Sequence, residues 1–191
     1  MRRISKNLTK YSAMIAGVIL ANNANAIDAG IALHQGNESN TQGFSLDVSD
    51  SFSKGSNFHW GASYQTLDDV KVEWNQRDLY FKLDTLAAYG SYRYQPKSYN
   101  AVMKKLSLDY FAGVSVTLTE NKFDWPNLNT EKYFSEKGDV NPFIGFAAHY
   151  SFTKKSSLDL GFKYQPSFSD LGNITSVYLG ITYKFGKQVG Y

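Results

Sequence analysis

Residues 106–118 read Leu106-Ser107-Leu108-Asp109-Tyr110-Phe111-Ala112-Gly113-Val114-Ser115-Val116-Thr117-Leu118, and this stretch decides the fold. Its even positions are all apolar or aromatic, while its odd positions hold Ser, Asp, Gly and Thr with a single Phe. A period of two sets successive side chains on opposite faces of an extended chain, so the run predicts a strand with one bulky apolar face. No stretch after residue 26 sustains the 3.6-residue period that a helix requires.

The same alternation recurs over residues 27–34, 44–49, 58–65, 85–94, 144–152, 158–165 and 177–185, which brings the expected strands to eight. Two connections are short, at Ser53–Ser56 and Thr153–Ser156, and at the same end Pro96–Lys104 joins the fourth and fifth runs. The other four are longer, at about residues 35–42, 67–79, 120–140 and 168–175. An even number of strands with short turns at one end and longer loops at the other predicts an antiparallel up-and-down transmembrane β-barrel of the bacterial outer membrane.

A soluble barrel also alternates, so the direction of the apolar face needs its own argument. An eight-stranded barrel has an interior just wide enough for side chains to fill it. The bulky face, with Trp60, about eight Tyr and Phe and about two dozen aliphatics, exceeds that space. The other face carries Gly30, Gly61, Gly113, Gly145, Gly161 and Gly180, which suits a crowded lumen. The bulky face must therefore point outward, and only lipid makes that favourable. Tyr92/Tyr94, Tyr150/Phe152, Tyr183/Phe185 and Phe58/Trp60 all fall at the turn ends of their strands. Such rings prefer the headgroup level, so they predict an interfacial girdle.

The first 26 residues read differently. Arg2, Arg3, Lys6 and Lys10 precede the apolar run Ala13–Leu20, and Ala24-Asn25-Ala26 follows. This is the pattern of a cleavable signal peptide over residues 1–26, leaving the barrel as residues 27–191. The apolar run is too short to cross a hydrocarbon core of about 30 Å. The leader also accounts for the apparent basicity of the chain (+3, pI about 8.9). Without it, 16 Lys and Arg stand against 17 Asp and Glu, a net charge of −1. Nucleic-acid binding thereby loses its support in the composition. The absence of Cys excludes disulfides, thiolate metal sites and a Cys nucleophile.

The last strand, Val177-x-Leu179-x-Ile181-x-Tyr183-x-Phe185, resembles the C-terminal insertion signal of outer-membrane proteins, although Gly186–Tyr191 follow it. With the leader and the eight alternating runs, the chain resembles the small OmpA-transmembrane-domain, OmpX and OmpW type of barrel. That resemblance implies a fold and leaves the activity open.

On the inward face the alternation places Asp28, Asp47, His59, Arg93, Asp109, His149, Asp159, Lys163 and Lys184. Buried charges must pair or be solvated, so these mixed signs predict a polar network that seals the lumen. His149-Tyr150-Ser151 sets an imidazole and a hydroxyl on one face, as in the lipid A 3-O-deacylase family, which adds a later Glu. Here Lys163 stands in that later stretch, no Glu occurs after Glu136, and the pair falls near a turn rather than a loop. A lipid A-modifying enzyme and a narrow channel for small or hydrophobic solutes are the alternatives to a non-catalytic role. The spacing of His34, His59 and His149 matches no zinc site, and no metal or cofactor is expected.

In the loops, alternation continues through Val70, Val72 and Trp74, then resumes at Leu79, Phe81 and Leu83 and changes phase near Asp84-Thr85, where a bulge is expected. A projecting hairpin with an exposed edge at Val70, Val72 and Trp74 can pair with partner strands. The longest loop offers Phe123, Trp125, Tyr133 and Phe134 among charges, the composition of a contact patch. The competing expectation is that these residues pack over the barrel mouth. The expected protein is a monomer in outer-membrane lipid and lipopolysaccharide that acts through its loops on a host or matrix ligand, or in envelope integrity.

Overall fold

The computed structural model describes residues 27–36, 40–74, 76–125, 130–166 and 172–185; the expected leader and residues 186–191 lie outside the described residues. The strands are β1 Asp28–Gly36, β2 Gln42–Ser51, β3 Phe58–Trp74, β4 Arg77–Tyr94, β5 Leu106–Thr117, β6 Asn121–Trp125, β7 Thr130–Ser135, β8 Val140–Ser151, β9 Ser156–Gln165 and β10 Ile174–Lys184. Eight of them close a barrel in the order β1-β10-β9-β8-β5-β4-β3-β2, while β6 and β7 form a separate hairpin. Every barrel pairing is antiparallel, and closure runs from Asp28↔Lys184 to Gly36↔Ser176. The start of β1, the end of β10 and the turns at 52–57, 95–105 and 152–155 share one end of the barrel.

Outward positions are apolar and exposed: Leu33 at 68%, Ile144 at 58% and Leu160 at 55%. Inward positions follow a size rule set by the register. Tyr89 lies between Gly61 and Gly113, Phe111 opposite Gly145, and Tyr178 opposite Gly161. A Cβ on Gly61 or Gly161 would run into the ring of Tyr89 or Tyr178. Large residues beside small ones are how a narrow barrel fills its interior without splaying its strands.

Beyond the last β2 and β5 partners, at Asp68 and Thr85, β3 and β4 continue as a two-stranded ribbon. Its backbone corrects the expected bulge. The register is regular along β4 at Asp84-Thr85 and slips in β3, where Leu67 pairs with Leu83 but Val70 pairs with Phe81. The extra residue is accommodated by Asp69 in the left-handed region (φ 55°). A one-residue slip moves every later side chain to the opposite face. Val70, Val72 and Trp74, which continue the lipid-facing phase of β3, are thereby turned to the inner side.

In β4 the backbone stays regular and the sequence phase changes instead. Leu79, Phe81 and Leu83 lie on the same face as the lumen residues Thr85 and Ala87. The apolar face thus points outward within the bilayer and inward above it.

This reversal builds a small core over the barrel mouth from Leu67, Val70, Val72, Leu83, Phe134 and Ile174, with Trp74, Leu79, Phe81 and Phe123 packed against it. Three of the expected contact residues are therefore internal: Val70 (5% exposed), Val72 (8%) and Phe134 (2%) do not form an exposed edge or patch. They are buried because no lipid covers an apolar surface at this height. The rings of Phe81 and Trp74 lie 5.1 and 5.8 Å from that of Phe134, and Trp74 lies 6.2 Å from Phe123. Asn121 Nδ2 donates to the Lys82 carbonyl (3.0 Å), and the Leu118 N–H to that of Asp84 (2.8 Å), tying the hairpin to the ribbon.

Deleting Asp69 should return Val70, Val72 and Trp74 to the outer side. Proteolysis should then cleave the cap while the heat-modifiable gel shift of the folded barrel persists; unchanged protease resistance would refute the bulge as the cause. Phe134→Ala should weaken the cap by about 3 kcal/mol, read as faster amide exchange in β6 and β7.

Candidate functional site

The inward residues of the barrel stack in levels from turn end to loop end. At the turn end Arg93 forks onto Asp109, Nε and Nη2 each 2.8 Å from a carboxylate oxygen. Its Nη1 lies 3.7 Å from Asp28, which also lies 3.7 Å from Lys184 Nζ. His149 bridges two strands, with Nε2 3.2 Å from Asp109 and Nδ1 2.7 Å from Asp159. Asp159 further accepts from Ser157 Oγ (2.9 Å) and from the Thr182 hydroxyl. Six of the nine residues assigned to the lumen from sequence thus form one connected cluster. His59 is buried on the same side of the barrel, facing Ser91 across β3 and β4.

Asp47 and Lys163 lie at mid-lumen, apart from that cluster. Lys163 Nζ donates to Gln65 Oε1 (2.7 Å) and sits 4.3 Å from the Phe143 ring centre. Asp47 accepts from Ser45 Oγ (2.7 Å), while His34 Nε2 lies 3.0 Å from the same hydroxyl. Gln65 Nε2 reaches His34 Nδ1 at 3.1 Å. His34, Gln65 and Tyr178 belong to this level; from sequence His34 enters only as a zinc-ligand candidate, and Gln65 and Tyr178 are not singled out. Their strand phase was the available signal, but being neutral they attract no attention in a search for charges. Further up, Gln165 donates to Ser115 Oγ (3.0 Å), which donates to the Asn141 carbonyl (3.2 Å).

A cavity of about 100 Å³ extends from the turn-end cluster of Asp28, Arg93, Asp109, His149 and Asp159 to Asp47, Gln65, Tyr89, Lys163 and Tyr178 at mid-lumen. That is space for a handful of waters, each needing roughly 10–15 Å³ by this measure. A second cavity of about 70 Å³ opens at the turn end beside Ser151, Lys154 and Lys155. Among the described residues no group of His, Asp and Glu is arranged to hold a metal ion. His149 and Ser151 lie at the turn end of β8; Nδ1 of the imidazole hydrogen-bonds Asp159 (2.7 Å), while Nε2 lies 3.2 Å from Asp109 outside hydrogen-bond geometry.

At the loop end the remaining expected contact residues divide. Tyr133 is 37% exposed, and its hydroxyl donates to Glu131 (2.7 Å), which Lys122 also reaches at 3.2 Å. The Tyr133 hydrogen bond and then Lys122 hold the Glu131 carboxyl below its ordinary range. Phe123 and Trp74 support the core from its margin. Trp125 pairs with Thr130 in the hairpin. Tyr80, on the outer side of the ribbon at 51% exposure, joins Tyr133 as a surface aromatic.

No protein-family model and no curated protein matches the sequence. Solved structures do match in fold. Neisserial surface protein A is 17% identical, with a TM-score of 0.56 over 86% of this chain and 100% of that one. The attachment invasion locus protein Ail of Yersinia pestis, solved with the heparin analogue sucrose octasulfate, is 17% identical, with a TM-score of 0.51 over 84% and 97%. The outer-membrane enzyme PagL is 12% identical, with a TM-score of 0.51 over 82% and 98%. The chain has the fold of the small eight-stranded outer-membrane β-barrels. Its exposed apolar belt and polar lumen make it a transmembrane barrel of that class.

Arg93→Ala should leave Asp109 and Asp28, both buried carboxylates, short of a partner. The expected loss is about 3–5 kcal/mol, measured by urea unfolding of the barrel refolded into vesicles. A change under 1 kcal/mol would show that water replaces the guanidinium freely.

Proposed function

We propose that this protein is a non-catalytic outer-membrane barrel that acts through its extracellular cap, in adhesion to a host or matrix partner or in envelope integrity. The observation that carries this reading is the cap itself. The ribbon of β3 and β4 and the hairpin of β6 and β7 share an apolar core and hold a fixed outer surface above the membrane. Binding on a preorganised surface avoids the entropy of ordering loops, which is the advantage of building such a core.

The chemistry of that surface narrows the partner. Residues 68–84 and 118–139 together contain ten Asp and Glu against six Lys and Arg. Ail is described with a heparin analogue, a polyanion; an acidic cap with exposed Tyr80 and Tyr133 suits a cationic protein surface instead. Rings among charges supply contact area at little entropic cost.

Two observations support the non-catalytic part of the reading. His149 is committed to Asp109 and Asp159, and it lies at the opposite end of the barrel from the cap, away from outer-leaflet lipid A. The side chains that meet across the lumen above the cavity, such as Gln165 on Ser115, also favour a sealed barrel over a conduit.

Tyr80→Ala combined with Tyr133→Ala should lower the adhesion of expressing cells to immobilised basic matrix protein about tenfold, a loss of about 1.4 kcal/mol. The heat-modifiable gel shift should be unaffected. Unchanged adhesion would count against a surface-contact role. Lipid A mass spectra should be identical with the wild-type protein, with Ser151→Ala and without either, and planar bilayers should record no conductance steps. A new lipid A species that depends on Ser151 would establish the enzyme instead.

A further inference from the structure

The acids and bases that border the larger lumen cavity come mostly in pairs. Arg93 holds Asp109 at 2.8 Å and lies 3.7 Å from Asp28, and His149 stands between Asp109 and Asp159 at 3.2 and 2.7 Å. Asp47 of β2 and Lys163 of β9 border the same cavity, and among the described residues neither forms an ion pair. Their partners are neutral. The hydroxyls of Ser45 (2.7 Å) and Ser63 serve Asp47, while Lys163 Nζ donates to Gln65 Oε1 and sits 4.3 Å from the Phe143 ring centre. An ammonium has three N–H groups and an ionised carboxylate about four acceptor sites, so both retain bonding capacity. A charge withdrawn from bulk water is costly until a counter-charge meets it. A carboxylate and an ammonium that line one cavity without closing on each other leave a place for a guest between them.

The chemistry of the walls decides what that guest is. A simple anion would satisfy Lys163 and be repelled by Asp47, and a simple cation would meet the reverse. A neutral molecule would forgo charge-assisted hydrogen bonds, which are roughly twice as strong as neutral ones. A small zwitterion satisfies both walls, with an ammonium for Asp47 and a carboxylate for Lys163. Tyr89 and Tyr178 add hydroxyls to the lining. The volume of about 100 Å³ suits a molecule of a few heavy atoms, since one water needs roughly 10–15 Å³ by the same measure. Entry is from the turn end. The second cavity, which opens there beside Ser151, shares Asp28, Arg93, His149 and Thr182 with the first. Toward the loops, the hydrogen bonds from Gln165 to Ser115 and from Ser115 to the Asn141 carbonyl cross the lumen, and the cap core lies above them.

We propose that the lumen is a blind binding chamber for a small amino-acid zwitterion, entered from the turn end, with Asp47 on the ligand's ammonium and Lys163 on its carboxylate. The site is independent of the cap and of any partner held there. It gives a barrel that is closed toward the loops a small-molecule ligand on its periplasmic side. A bound zwitterion joins β2 to β9 across the lumen and stabilises the folded barrel by mass action.

The test uses the full chain folded in nonionic micelles and titrated by calorimetry with glycine, β-alanine and γ-aminobutyrate, whose charges lie progressively further apart. At least one of them should bind saturably, and the preferred length reports the gap between Asp47 and Lys163. Acetate and methylammonium, which carry one charge each, should bind about tenfold more weakly or worse. Asp47→Asn and Lys163→Gln should each weaken the zwitterion by about tenfold or more while the heat-modifiable gel shift persists. If either variant fails to fold, the wild-type comparison still decides: the zwitterion should raise the unfolding temperature of the barrel, and acetate and methylammonium should not. Three results would overturn the proposal. Absence of saturable zwitterion binding would mean a chamber that holds water only. Acetate or methylammonium bound as tightly as the best zwitterion would mean a site for a single ion. Undiminished affinity in both variants would mean a ligand that these two residues do not recognise.

Discussion

Hydrocarbon offers no hydrogen-bond partners, so each backbone N–H and C=O within it must be satisfied by the protein. The pairing of β1 with β10, from Asp28↔Lys184 to Gly36↔Ser176, meets this condition by leaving the sheet without an edge. The rest of the molecule depends on that closure. It confines the inward side chains to a narrow tube, where Tyr89 fits because Gly61 and Gly113 flank it. It also brings Arg93 of β4 within 3.7 Å of Asp28 of β1, two strands that are not neighbours in the sheet. Arg93, Asp109, His149 and Asp159, by contrast, meet through the register of adjacent strands.

The surroundings change at the loop end of the membrane, and the side-chain pattern changes with them. Within the bilayer the apolar face is stable on the outside because lipid covers it. Above the bilayer the same exposure to water would be unfavourable by about 25 cal/mol per Å². The chain answers in two ways across one hairpin. β3 keeps its apolar phase and turns it inward with a single extra residue at Asp68-Asp69, while β4 keeps its backbone regular and shifts the phase of its sequence. Both routes bring Val70, Val72, Leu79, Phe81 and Leu83 to the same small core. The exit from the membrane is thus recorded in the structure as a reversal of sidedness.

Much of this was legible residue by residue. Alternation located each barrel strand, and the phase of Arg93, Asp109, His149 and Asp159 placed them inside. The same alternation misled at Val70, Val72 and Trp74, because a period of two gives no sign of a bulge. Leu79, Phe81 and Leu83 carried the correct signal, a phase change, but it was assigned to the backbone when it reflected the change of solvent. Phe134 read as a surface aromatic because its neighbours Glu131, Lys132, Glu136 and Lys137 are charged. Its burial depends on residues from β3, β4 and β10 that no local window contains. The lumen role of His34 and Gln65 is not legible in sequence because it is relational: each matters through Lys163, Ser45 or the other, on strands far apart in the chain.

The sequence by itself determined the number of barrel strands, the sidedness within the bilayer and the short-turn and long-loop ends. Each of these is a local property, set by alternation, turn length or composition. Tertiary structure alone decided which charges meet, how far the lumen is filled and whether the loop aromatics face water or one another. Those outcomes depend on barrel closure and on one slipped residue, which act between strands rather than along them.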